Sequence, residues 1–482
     1  MVIQSFVGSD FGLRPVRLEV VLTPGISQIQ ILGLADQVIK ESSRRILSAL
    51  RYQGFRMPAG KQVLVNLSPH YFRKTSQGLD LPIAVGILLE SEQIGALDLT
   101  NSYVYGALSL KGEVSMPNDL PLLNYEDFNK KVVTGPSEQS FRFDRRVWKS
   151  LSEWNQETLQ EGGEDFLTVQ EPEINSALRF PTNLARLISI VALGEHSLLL
   201  AGHAGAGKTT LVESLVPLLR PPEQKSFLTA KKYWMLSGRK LDWRPCVQPH
   251  HSSSPLAMVG GGRPPKFGEI SLAHGGALIL DELLEFHPHV QSALREPMEK
   301  GIIYLSRAGS RKVFPADTLV LATTNLCRCG QFHPSHPHDC RCSSLRLRNY
   351  LENLSGPFLD RFCIFHLMKP RQSEVQVPLL HIKEELEKAR DFVSRLENRE
   401  KVNQKLELAQ LMDGLSPKMD EEWIPHSSSH RRRLSLLRVA RTLADLDLSP
   451  WIEQRHLEEA QIWTSQDFHS LEKFRFQDFA TR

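Results

Sequence analysis

The chain has 482 residues, with 58 Lys plus Arg against 55 Asp plus Glu and a formal net charge of +3. That length predicts about two to four domains, and the nearly neutral balance excludes a globally polybasic binder, so any basic surface must be local. No apolar run is long enough to span a bilayer, no apolar segment follows a basic start, and 6 cysteines in so long a chain exclude a disulfide scaffold. A cytosolic protein with no membrane partner is the expectation.

In chain order, residues 1–145 mix strand-like and helical stretches, as an α+β domain does. Val16–Leu22 alternates and then runs apolar, Ile29–Leu34 reads as a second strand, and Gln62–Leu67 reads as a third. Asp36 to Leu50 has helical spacing, with Asp36 as N-cap and Val38, Ile39, Ile46, Leu47 and Leu50 on the apolar side. Residues 146–175 are polar, acidic and weakly periodic, and read as a linker. Residues 176–370 alternate strands with helices, which predicts an α/β core built on a parallel sheet. Residues 371–482 are rich in Leu, Glu, Lys and Arg at helical spacing, and read as a helical domain.

The most informative string is Gly202-His203-Ala204-Gly205-Ala206-Gly207-Lys208-Thr209. It follows the apolar run Ser197–Ala201 and opens into a helical pattern at Thr210. Strand, glycine loop and helix in that order form a Walker A site, whose backbone N–H groups cradle phosphates at a helix N-terminus. Lys208 would reach the β- and γ-phosphates of ATP, and Thr209 would hold Mg²⁺. Ala277-Leu-Ile-Leu280-Asp281-Glu282 is an apolar strand ending in two acids, the Walker B pattern. Asp281 would hold the Mg²⁺, directly or through water, and Glu282 would orient and deprotonate the attacking water. Leu319–Asn325 is a further apolar strand with a polar tip. Ser355-Gly-Pro-Phe-Leu-Asp360-Arg361-Phe follows, and His430-Arg431-Arg432-Arg433 starts a helix.

Cys327-Arg-Cys329 and Cys340-Arg-Cys342 are separated by a short stretch holding His333, His336 and His338. Four thiolates suit tetrahedral Zn²⁺, and the expectation for the Cys-rich loop 327–342 is a structural zinc site; packed or free cysteines are the alternative. Zinc there would stiffen the connection from Asn325 to Arg361.

Taken together, these strings resemble the ComM-like, magnesium-chelatase-like AAA+ ATPases of bacteria, over nearly the whole chain. The resemblance rests on Ile31–Ser42, Val65–Pro69 and Asp80–Leu88, then Pro249–Ser252, Val259–Gly262, Gly268–His274 and Leu305–Ala308, and finally Arg438–Leu446. It implies an AAA+ core with a C-terminal helical lid, a homo-hexamer, and ATP hydrolysis coupled to movement along single-stranded or branched DNA. The implied role is branch migration in recombination during natural transformation. The same motor branch includes chelatase-type and protein-remodelling ATPases, so a protein client is the alternative.

The resemblance also assigns roles. Asn325 falls at sensor 1, Arg361 at the arginine finger that enters the next subunit's site, and Arg431 at sensor 2, a lid arginine contacting ATP. A basic patch for phosphate backbone is a second reading of Arg431 to Arg433. The hairpin from Ala308 to Phe314, with Arg307, Arg311 and Lys312, and the loop Val259–Lys266, with Arg263 and Lys266, would face a central pore. The N-terminal domain resembles the Lon protease domain without its chemistry: Ile83 falls at the nucleophile and Pro121 at the lysine, with Ser109 and Lys111 nearby. The stretch Phe166–Asn175 keeps little of the family's Gly-Gln box, so adenine selection is less firmly implied than phosphate binding. The family's Asn-Pro after sensor 1 is here Asn325-Leu326.

Overall fold

A computed structural model of the chain describes residues 1–9, 11–32, 36–69, 78–156, 158–163, 169–262, 266–307, 310–334, 339–352, 354, 356–369, 375–396, 402–417 and 429–466. Arg263, Ala308, His336, His338 and residues 166–168 lie outside the described residues, as do the side chains of Arg307 and Arg311. The chain divides into two units: Met1–Thr168 with Trp234–Lys240, and Val169–Tyr233 with Leu241–Arg482.

The first unit is mixed. Strands β1 (Val2–Ser9), β2 (Gly12–Pro24), β3 (Ile29–Leu32) and β4 (Lys61–Ser68) form a sheet in the order β1-β2-β4-β3. β1–β2 and β2–β4 are antiparallel, whereas β3–β4 is parallel. In helix α1 (Asp36–Tyr52), Ile46, Ala49 and Leu50 are buried and Leu47 packs against them. Helix α2 (Asp80–Glu90) is buried from Asp80 to Leu88, because its sequence is apolar all round and only a core can accept such a helix. Its one acid within that buried stretch, Asp80, is held by Ser42 Oγ and by Arg45 Nε at 2.7 Å.

A second sheet joins β5 (Ser102–Val104), β6 (Lys131–Thr134), β7 (Arg145–Val147) and β8 (Thr158–Gln160). Within the segment 146–175, expected to be a linker, Thr158–Gln160 forms a strand. β8 pairs antiparallel with β7 in the register Thr158↔Val147 and Gln160↔Arg145. Its residues are all exposed, so it carries no hydrophobic alternation for a sequence reading to detect. Ile83 is fully buried in α2 and Pro121 is buried in a short 3-10 turn, so neither position presents a reactive group. Ser109 Oγ donates to Glu113 Oε2 at 3.2 Å.

The second unit is built on a parallel sheet of β9 (Leu198–Ala201), β10 (Cys246–Val247), β11 (Ala277–Leu280), β12 (Leu319–Thr324) and β13 (Ile364–Leu367), in the spatial order β10-β11-β12-β9-β13. Every residue of β9, β11 and β12 is buried, which is why these strands read as continuous apolar runs. The register sets Leu280 beside Ala322, and Ala201 beside Thr324 and Leu367.

Helix α3 (Thr182–Gly194) packs with α4 (Leu379–Ser394) and α5 (His430–Leu446), and α5 packs with α6 (Gln454–Gln461). Ile382 and Leu386 of α4 and Leu437 and Leu443 of α5 share one apolar cluster with Leu198, Ile279 and Leu321 of the sheet. The helices expected to form a separate domain over 371–482 therefore complete the core of the sheet in their described parts.

Candidate nucleotide site

Parallel strands put their carboxyl ends on one edge, and ligands in open α/β sheets bind there. Three adjacent strands deliver the motif residues to that edge. β9 ends at Ala201 and continues into the glycine loop; β11 ends at Leu280, before Asp281 and Glu282; β12 ends at Thr324, before Asn325. Gly205 and Gly207 have φ of 77° and 85°, a left-handed backbone that a Cβ disfavours, and Gly207 caps the helix Lys208–Leu215. Gly202 lies against Met368, where an added Cβ would come within 3.2 Å of Met368 Cβ.

Lys208 is only 9% exposed. Its Nζ donates to Gly202 O at 3.1 Å, His203 O at 2.8 Å and Asn325 Oδ1 at 3.0 Å. Burial lowers its pKa, and the charges of Asp281 and Glu282 oppose that shift. Thr209 Oγ1 donates to Asp281 Oδ1 at 3.1 Å, and Thr323 Oγ1 donates to the same carboxylate oxygen. These are hard oxygen donors, the set that a Mg²⁺ ion beside phosphate takes from a P-loop hydroxyl and a Walker B acid. The residues fit the cation.

Glu282 has φ 55° and ψ 51°, an uncommon backbone for a residue with a side chain. Its N–H donates to Thr323 Oγ1 at 3.2 Å, which ties the strained turn to the neighbouring strand. The turn leaves its carboxylate 50% exposed, with His251 Nδ1 3.8 Å from Oε2. A carboxylate aimed into solvent beside a phosphate loop can position and deprotonate water.

A cavity of about 490 Å³ adjoins the loop at Ala206, Gly207 and Thr210. Its opposite wall comes from Arg179–Pro181, Asn183, Leu184, His366, Met368, Lys369 and Gln376. The strands Arg179–Pro181 and Gln376–Pro378 pair antiparallel and hold that wall together. Half-apolar walls beside a phosphate loop suit a nucleoside base. The sequence reading sought base contacts in Phe166–Asn175 and missed this wall; a short Arg-Phe-Pro strand opening a helix was the available signal.

Arg361 and Arg431 lie elsewhere. Ser197 Oγ, at the amino end of β9, donates to Arg361 O at 3.1 Å. Arg361 Nη2 is 3.0 Å from Glu299 Oε2, and its Nε donates to Arg295 O at 3.0 Å. Arg431 Nη2 donates to Glu299 Oε1 at 2.6 Å. Glu299 thus holds both arginines, and the cavity that includes Glu299 and Arg361 is lined by Ser197, Leu319 and Val320, at the amino ends of β9 and β12. The structure brings together Lys208, Thr209, Asp281, Glu282 and Asn325, and sets Arg361 and Arg431 at the other end of the sheet. Arg431 was expected as a lid arginine contacting ATP; within this chain it sits at the start of α5, bonded to Glu299. Arg432 is bound to Asp360 at 3.1 Å and to Leu359 O at 3.2 Å, so it is a structural tie.

Cys327, Cys329, Cys340 and Cys342 present Sγ atoms all within 4.8 Å of one another. Cys327–Cys329 is 3.3 Å and Cys329–Cys340 is 3.7 Å. A tetrahedron with Zn–S of 2.3 Å has S···S edges of about 3.8 Å, whereas a disulfide is about 2.05 Å. The thiol set matches the metal geometry and no disulfide.

Residues 179–376 match the family described as magnesium chelatase, subunit ChlI, and residues 18–123 match the family described as subunit ChlI of Mg-chelatase. The competence protein ComM of Haemophilus influenzae is 31% identical over 490 residues, covering 92% of this chain and 93% of that one. YifB of Escherichia coli is 31% identical over 484 residues, covering 94% of each. Rv2897c of Mycobacterium tuberculosis is 30% identical over 370 residues, covering 72% of each. The chain belongs to the ComM/YifB-like group of the magnesium-chelatase family, whose members are AAA+ ATPase-like proteins.

Proposed function

We propose that the protein is an ATP-hydrolysing motor that acts on DNA as a homo-hexamer, promoting branch migration or unwinding during recombination in natural transformation. The observation that carries the reading is the division of the catalytic set: Lys208, Thr209, Asp281, Glu282 and Asn325 at one end of the sheet, Arg361 and Arg431 at the other. Such a chain completes its site only with a neighbour, whose arginine pair meets the phosphates that this chain's loop holds.

In this reading Lys208 orients the β- and γ-phosphates, and the loop N–H groups hold them. Thr209 and Asp281 would hold Mg²⁺, which would supply neutralisation of phosphate charge there. Glu282 takes the proton from the attacking water while Asn325 fixes Lys208 and the water. The DNA assignment is supported by the competence protein among the relatives and by Lys266 and Lys312 at the two loops expected to face a pore. Among the described residues no helix is long and apolar enough to cross a membrane. Action in the cytoplasm is part of the proposal. The cysteine set is proposed to hold a structural zinc ion.

A protein client is the second reading, favoured by the magnesium-chelatase match over residues 179–376. ATP hydrolysis by purified protein, with and without branched or single-stranded DNA and with Glu282→Gln as the blank, separates the two. Strong stimulation by DNA supports the motor. Glu282-dependent hydrolysis indifferent to DNA overturns it and moves the weight to a protein client.

A further inference from the structure

The cysteine turn touches the phosphate loop. Ala204 N–H, within the Walker A loop, donates to Gly330 O at 2.7 Å. Gly330 has φ 73°, and a Cβ there would lie 2.9 Å from Ala204 Cβ, so this close approach requires glycine twice over. Five residues upstream, Asn325 Oδ1 accepts from Lys208 Nζ at 3.0 Å. One short segment, Asn325 to Gly330, therefore grips the loop at two points. Between those points stand Cys327 and Cys329.

The turn is shaped for thiolates. Gly330 N–H donates to Cys327 O at 3.1 Å, closing the turn, and Phe332 N–H donates to Cys327 Sγ at 3.2 Å. A backbone N–H aimed at the sulfur is an outer contact that orients a metal-ligating group. Cys340 and Cys342 come from the far side of the loop and complete the set.

We propose that a zinc ion on Cys327, Cys329, Cys340 and Cys342 braces the Walker A loop through Gly330, so that metal loading and nucleotide binding are thermodynamically coupled. This rests on the zinc reading above. The physical reason is ordering. A glycine loop must hold its N–H groups in one arrangement to bind phosphate, and fixing backbone opposes binding through lost conformational entropy. A rigid tetrathiolate clip fixes Asn325–Gly330 beforehand, and with it the Ala204 and Lys208 contacts. Gly330 is a positioning residue. The brace reaches the phosphate loop, a different target from the Asn325–Arg361 connection that the sequence suggests.

The test uses the full-length protein. Zinc content is measured by inductively coupled plasma mass spectrometry, and affinity for N-methylanthraniloyl-ADP by fluorescence. Wild type is expected to hold about one zinc per chain. Stripping it with a zinc-selective pyridyl chelator, or by Cys340→Ser, should raise the nucleotide Kd about tenfold, with partial or full recovery on zinc return to the stripped wild type. Linkage requires the converse: saturating ADP should raise the apparent zinc affinity by the same factor, which a merely structural ion would not show. Gly330→Ala should keep its zinc, weaken nucleotide binding and abolish that mutual dependence. Absence of zinc from wild type overturns the metal reading itself. Zinc present, with a nucleotide Kd unchanged by stripping or by Gly330→Ala, overturns the brace and leaves the zinc site standing.

Discussion

Lys208 Nζ and Asn325 Oδ1 are 3.0 Å apart, a side-chain hydrogen bond that ties the phosphate loop to the tip of the neighbouring strand. The bond joins residues far apart in sequence that the parallel register of β9 and β12 makes adjacent. It separates two roles. Lys208→Ala removes the cation and is expected to weaken ATP binding at least about a hundredfold. Asn325→Ala leaves the cation and should change Kd only a few-fold, while lowering kcat about a hundredfold, the scale of losing one positioned polar group. Calorimetric nucleotide binding set against steady-state hydrolysis distinguishes them.

Glu282→Gln keeps the shape of the side chain and removes its basicity. Hydrolysis should fall about 10²–10⁴-fold with nucleotide affinity preserved. A variant that also lost affinity would place Glu282 in binding rather than in water activation.

The shared partner of Arg361 and Arg431 gives a mixing experiment. Arg361→Ala should be inactive alone, and so should Glu282→Gln. Mixed subunits should regain part of the hydrolysis, because an intact site forms where a chain with Glu282 meets a neighbour with Arg361. No recovery would argue against a finger supplied by the next chain. Glu299→Ala removes the carboxylate that both arginines share, while Arg361 keeps its bond to Arg295 O, and is expected to alter kcat more than nucleotide Kd.

His196 is fully buried, with Nδ1 2.9 Å from Gln404 Oε1 and Nε2 2.8 Å from Thr442 Oγ1. Burial lowers its pKa to about 4 from an ordinary 6.5. Between those values the unfolded chain takes up the proton and the folded chain does not. Stability is therefore flat above about pH 6.5 and falls as pH drops toward about 4, by roughly 3 kcal/mol from this group. Urea denaturation at pH 7 and pH 4.5 should show a smaller difference in His196→Gln than in wild type.

Glu195 and Arg244 form a buried bidentate pair at 2.6 and 2.8 Å. Burial pushes the Glu195 pKa up, but Arg244 outweighs it and holds the carboxylate below the usual range. Glu195→Ala strands the guanidinium and should destabilise the second unit by about 3–5 kcal/mol, measured by the same denaturation. The double change Glu195→Leu with Arg244→Met should recover much of that loss.

The convergence of the motif strings on one sheet edge was legible from sequence because each string is contiguous and sits at a strand end. A glycine loop between a strand and a helix, or an apolar run ending in Asp281-Glu282, carries its own local geometry, and the buried strands announced themselves as unbroken apolar runs. What the sequence could not carry was proximity. The wall of the cavity beside the glycine loop joins Arg179, Phe180 and Leu184 to His366, Met368 and Lys369, and β8 is an exposed edge without alternation. The placement of Arg361 and Arg431 on Glu299, and of Gly330 on Ala204, depends on which end of the sheet each loop leaves and on a left-handed turn. The local motifs determined which reaction the chain is equipped for. Only tertiary packing decided which groups meet at one end of the sheet and which lie at the other, because hydrogen bonds and close contacts act over a few ångströms and sequence separation does not measure that distance.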